Sequence, residues 1–302
     1  MYHEAHCISF ILSCSRLGMG RKKITFTLLA LLLLLSSGCT AVIVNPLLDP
    51  LTLSLQKQTD LDLLQEGAPS LLLLLDGLIA NDPYNDRLLM TAAKANGAYA
   101  TVLHEHGKIE RAVNISIKAK DYGLSLITQL KGLDNIHDKT LADVEKALDG
   151  VSAAEVGQLF WGAYGWAIWI QYQEGAPGAM ADLPVVEKIM LRVLELDESY
   201  YYGGAHIFLG SYYGSRPQVF GGRPEASRQH FEKALSLNNR NFLMTQVAYA
   251  ETYARTIFDR DLYLRLLTEV LQKPLTDSEM ASSNKLAQIM AEKLVARIDE
   301  FF

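Results

Sequence analysis

The chain has 302 residues, with 28 lysines and arginines against 34 aspartates and glutamates and a net charge of −6, which with no basic stripe excludes nucleic acid as an expected partner. Its three cysteines, Cys7, Cys14 and Cys39, all fall in the first 39 residues, so a chain cut at Cys39 holds no intrachain disulfide. The remaining stretch of over 250 residues is long enough to bury a core without one.

The N-terminal segment reads as a secretory signal. Arg21-Lys22-Lys23 precede an apolar run over 24–35, and Ser36-Ser37-Gly38-Cys39 closes it. A run of about 12 residues is too short for a hydrocarbon core that needs roughly 20 in a helix. A cysteine at the cut site adds lipoprotein processing, in which the thiol takes a diacylglycerol; Ser36 stands where leucine is usual, with Leu35 one place further out. Residues 1–18, with Glu4, do not suit a signal, so Met19 reads as the natural start, and Cys14 has no basic region before it. The expectation is a signal peptide over 1–38 and a single domain over 39–302 tethered through lipidated Cys39, each buried CH₂ adding ~0.8 kcal/mol. Thr40 occupies the place where an aspartate would retain the protein at the inner membrane, which favours the outer membrane. No further apolar run of spanning length is expected.

Beyond the signal, helical periodicity runs almost throughout, broken at Gly67-Ala68-Pro69, Asp82-Pro83, Gly107, Gly132, Gly175-Ala176-Pro177-Gly178, Gly221-Gly222-Arg223-Pro224 and Lys273-Pro274. With no strand to pack on, the helices must pack on one another. A period of about 34 residues then emerges, the tetratricopeptide spacing. Its clearest copy spans 203–239, with Leu209-Gly210, Tyr213, Phe231 and Ala234 at consensus places. Weaker copies end near Asp197, begin after Pro83 with Ala112, Ser116 and Ala119 in the second helix, and run over 242–272. Residues 278–302 read as one long terminal helix that caps the array. The fold class is all-α, an α-α superhelix of irregular helical hairpins.

Two segments depart from a plain repeat. The helix over 153–173 is apolar all round and holds every tryptophan of the chain, Trp161, Trp166 and Trp169, with Phe160 and Tyr164 between them and Gly157, Gly162 and Gly165 interleaved. Such a helix is either ordinary core, the commoner case for aromatic stripes, or the lining of a hydrophobic ligand channel. Tyr202, His206 and Tyr213 on the neighbouring helix join the channel candidates, although His206 is more often a hydrogen-bonded core histidine. The second departure is the insert after Tyr213, in which Arg216, Pro217, Phe220, Gly221, Gly222 and Arg223 are candidates for a partner-docking loop; the plain alternative is a longer turn. Its arginines either hold a carboxylate or pair with a neighbouring acid such as Glu225.

No catalytic or metal constellation emerges. His104-Glu105-His106 lacks zinc spacing, because residues two apart on a helix face different ways, and it sits beside Gly107 at a helix end. Asp259 and Asp261 read as helix caps. No nucleotide or hydrolase fingerprint is present, so neither an enzyme nor a cofactor is expected.

The block Tyr202-Gly203-Gly204-Ala205-His206-Ile207-Phe208-Leu209-Gly210-Ser211-Tyr212-Tyr213, the following Arg216-Pro217 and Gly221-Gly222, and Val247-Ala248-Tyr249-Ala250-Glu251-Thr252-Tyr253-Ala254 resemble the TatT component family of TRAP transporters. The likeness extends upstream to Glu66-Gly67-Ala68-Pro69 and Asp121-Tyr122-Gly123-Leu124. The resemblance implies a periplasmic lipoprotein that assembles as a homotrimer, docks a solute-binding protein and offers it an apolar channel for a hydrophobic or carboxylate-bearing ligand. An envelope scaffold that binds protein alone, with a filled core, is the alternative.

Overall fold

A computed structural model describes residues 40–302 apart from Asp277, with side chains from Pro46 onward, and the domain considered below is the unit Val44–Phe302. Cys39 and the signal segment lie outside the described residues. Among the described residues every regular element is a helix, so the fold is all-α. In chain order these are α1 Thr40–Lys57, α2 Leu61–Asn81, α3 Asp86–Glu105, α4 Ile109–Ile127, α5 Leu141–Leu148, α6 Val156–Gln171, α7 Pro177–Ala181, α8 Leu183–Asp197, α9 Tyr200–Gly214, α10 Pro224–Leu237, α11 Met244–Ala248, α12 Arg260–Gln272 and α13 Ala281–Ala296. A π-helical stretch, Tyr249–Ala254, continues α11.

Helix starts follow the capping chemistry written in the sequence. The side chains of Asp60, Asn85, Thr140 and Asp259 accept the backbone N–H of Leu63, Leu88, Asp143 and Leu262 at 2.8–3.2 Å. Ser152 donates its backbone N–H to Glu155 at 2.8 Å and so sets the entry into α6.

Short connections force neighbouring helices into hairpins. In α3/α4, the small side chains Ala112, Ser116 and Ala119 of α4 are buried. In α9/α10, Gly210 lies so close to the Phe231 ring that a Cβ would approach it to 2.9 Å, and Phe231 stacks on Tyr249 at 4.6 Å. Helix α6 crosses α4 through facing glycines: a Cβ on Gly123 would meet the Gly162 carbonyl oxygen at 2.5 Å. Interleaved glycines therefore serve close helix approach.

Two features differ from the sequence reading. Helix α2 is long and apolar enough by length and composition to cross a membrane, a run that Asp62, Glu66 and Pro69 hide in the sequence. Its Leu72, Leu75 and Ile79 are nevertheless buried in the domain core, and Asp76 holds Lys118 and the Tyr122 hydroxyl of α4, which seats α2 as a packing helix. The terminal helix ends at Ala296, short of the chain end. A separate 3₁₀ turn, Ile298–Glu300, returns Phe301 and Phe302 onto the Tyr263 ring, at 6.2 and 5.2 Å between centroids.

Candidate functional site

The three tryptophans of α6 have different fates. Trp166 is 1 % exposed and donates its indole N–H to Asp182 at 2.8 Å, so it is fully satisfied core. Trp169 lies under the Lys120 ammonium, 3.4 Å from Nζ to ring centre. Trp161 faces the other way, towards a cleft.

That face is an aromatic wall built from two helices. Phe160, Trp161 and Tyr164 come from α6, with Trp161 5.0 Å from Phe160 and 5.3 Å from Tyr164. The first turn of α9 supplies Tyr200, Tyr201 and Tyr202; Tyr201 lies 4.6 Å from Trp161, and Tyr202 stacks on Phe242 at 4.9 Å. Tyr201 and Tyr202 have φ of 46° and 62°, a left-handed turn that costs each about 1–2 kcal/mol and is offset by packing of the rings. Gly204 makes the arrangement possible, since a Cβ there would lie 2.5 Å from the Phe160 ring.

Lys94 of α3 reaches into this wall. Its Nζ lies 5.1 Å from the Trp161 ring centre and 5.0 Å from that of Tyr201. Burial lowers its pKa to about 8, opposed by Glu279, and no carboxylate among the described residues lies within 4 Å of it. In front of the wall a cleft of about 610 Å³ opens between α1, α3, Trp161 and Glu279, with Leu48, Leu53 and Met90 supplying apolar surface. Arg87 also lines it, but is ion-paired with Asp49.

The other expected site residues form a separate cluster. His206 and His230 face each other through Nδ1 atoms 2.8 Å apart, so one ring donates and the other accepts. Burial, then the neighbouring His230, lowers the pKa of His206 to about 4, and burial lowers that of His230 as well. Tyr213 donates to Glu187 at 2.6 Å, and Arg223 donates to the same oxygen while its guanidinium covers the Tyr213 ring at 3.8 Å. The acid paired with Arg223 is thus Glu187 on α8 and not Glu225, which pairs with Arg228 one turn along α10. Tyr202 is the expected channel residue nearest the cleft from α9, because its hydroxyl donates to Glu279 at 3.5 Å.

The insert closes on itself. Gly222 N–H donates to the Pro217 carbonyl at 3.1 Å, Arg223 N–H donates to that of Tyr213 at 2.9 Å, and Gly221 takes φ of 83°. Arg216 lies over Tyr212, 4.7 Å from guanidinium carbon to ring centre. The result holds Phe220 and its neighbour Val219 out in solvent, 75 % and 84 % exposed. His104, at the expected helix end, stacks on Tyr172 at 5.1 Å. Among the described residues no cluster of three or more His, Cys, Asp or Glu side chains is placed to hold a metal.

Sequence reasoning missed Lys94, Tyr201, Met90 and Glu279. A signal for Lys94 exists: it is a lone cation in the small, apolar stretch Ala92-Ala93-Lys94-Ala95-Asn96-Gly97. The convergence of α3 and the first turn of α9 has none.

The described residues form an all-α protein with an aromatic-walled cleft and an exposed apolar loop. No curated protein matches the chain. The profile of the TRAP transporter T-component family matches residues 57–302, and the chain belongs to that family. It is therefore an accessory component of a TRAP transport system, of a family that is not enzymatic.

Proposed function

We propose that this chain is a lipid-anchored periplasmic component that docks a solute-binding protein and presents it with an apolar ligand site. The carrying observation is the cleft lined by Trp161 and Tyr200, which is open to solvent and lined largely by apolar groups. A superhelical stacking of the hairpins and a homotrimeric assembly accompany this reading as implications of the family. The 214–224 loop is its docking edge, on the strength of Phe220 and Val219 held outward by a closed turn. Anchoring is assigned to acylated Cys39, with the outer membrane as its site. The ligand is a lipophilic small molecule or one bearing a carboxylate.

The test is a pull-down of the tagged, membrane-anchored protein from its own cells after mild cross-linking, with partners identified by mass spectrometry. Capture of a solute-binding protein, lost in Phe220→Asp, is the expected result. Capture of other envelope proteins alone would leave a scaffold that binds only protein, the reading favoured by the sealed surroundings of Trp166.

A further inference from the structure

The cleft holds four charged side chains, and their pairing is unequal. Arg87 and Asp49 neutralise each other. Glu279 is exposed at the rim, where water solvates it. Lys94 alone is half-buried; ring faces lie 5.0 and 5.1 Å from its Nζ, and Glu279 acts on it through its charge without forming an ion pair within 4 Å. Aromatic faces stabilise a cation by about 1–2 kcal/mol, less than a hydrogen-bonded carboxylate gives a desolvated ammonium.

We propose that Lys94 is the anchor for the carboxylate of a singly charged amphiphilic organic acid, whose hydrocarbon body lies in the cleft against Trp161, Met90 and Leu53. This rests on the proposed ligand-presenting role and assigns that role its contact. Three observations select the ligand class. One cation without an ion pair matches one negative charge; the rim carboxylate Glu279, left over once Arg87 and Asp49 pair, opposes a dianion such as a phosphate monoester; and the cleft volume of about 610 Å³ exceeds what a small hydrophilic acid fills. The left-handed turn at Tyr201 and Tyr202 has a function in this arrangement, because it lays the Tyr201 ring beside the ammonium and so positions Lys94 at the wall. The depressed Lys94 pKa accords with a cation awaiting a counter-ion.

The test is calorimetric titration of the full chain in non-ionic detergent with octanoate and with octanol, which share a chain and differ in head group. The wild type is expected to bind octanoate about tenfold more tightly than octanol. Lys94→Met, which keeps the stem and removes the charge, is expected to lose that preference while its octanol affinity holds; Lys94→Arg is expected to keep it. Equal octanoate binding by wild type and Lys94→Met, or no binding of octanoate by the wild type, overturns the anchor. Should Lys94→Met fail to fold, Lys94→Gln decides: loss of the preference for octanoate over octanol supports the anchor, and a retained preference overturns it. The partner pull-down separates the two proposals. Capture of a solute-binding protein with no Lys94-dependent octanoate binding removes the anchor alone, whereas Lys94-dependent binding without that capture leaves the anchor and removes the transport reading.

Discussion

Gly165 of α6 rests on the carbonyl oxygen of Ala119 in α4 with no space for a side chain between them. Together with Gly162 against Gly123, it sets the distance between α6 and α4 and hence the depth at which Trp161 sits. A methyl group here meets backbone, which cannot swing aside as a side-chain tip can. Gly165→Ala is expected to destabilise the fold by about 1–3 kcal/mol, and Gly165→Val by more, read as lowered urea midpoints in circular dichroism. A midpoint unchanged by Gly165→Val would show that the crossing relaxes freely.

Trp166 and Trp161 sit five residues apart on one helix with opposite roles. Trp166→Phe leaves Asp182 without its indole donor and is expected to cost about 1–3 kcal/mol of stability, with octanoate affinity unchanged. Trp161→Ala is expected to weaken octanoate binding, because Trp161 lines the cleft. Loss of affinity on Trp166→Phe, at a temperature where the variant is folded, would return Trp166 to the ligand site.

The His206–His230 pair makes stability depend on pH. His206 has a pKa near 4 in the folded chain against an ordinary value near 6.5, so the unfolded chain binds more protons between those limits. Stability is therefore full above about pH 6.5 and falls as the pH drops towards 4. His206→Gln is expected to flatten the fall in melting temperature over that window, measured by calorimetric scans. An identical slope in the variant would place the titrating group elsewhere.

Membrane attachment is proposed to run through Cys39. In cells, Cys39→Ala is expected to abolish labelling by a clickable palmitate analogue and to leave the signal segment uncut. Persistent labelling of the variant would point to a different acylated residue.

Much of the architecture was legible along the chain because helix caps, breakers and small residues at crossings are local requirements. Asp259 accepts a hydrogen bond from its own first turn, and Ala112, Ser116 and Ala119 face inward, since each follows from a spacing of three or four residues. The place of α2 was not legible, since its length and composition suit a membrane span as well as a packing helix, and only the fold shows Asp76 holding Lys118 and the Tyr122 hydroxyl.

The sequence by itself determined that this is an all-helical protein of the T-component family, that α6 is apolar on every side, and that the insert after Tyr213 holds Phe220 followed by Gly221-Gly222. Only the tertiary structure decided that Trp161 lines a cleft while Trp166 is sealed, and that Arg223 pairs with Glu187. It alone brought Lys94 to Tyr201, more than 100 residues away, to make the cation's cage. Helical periodicity reports which side of a helix is apolar, but not which of several apolar sides meets another helix and which meets open space. That depends on how closely remote backbones approach, and here the glycines of α4 and α6 and the left-handed turn opening α9 decide it.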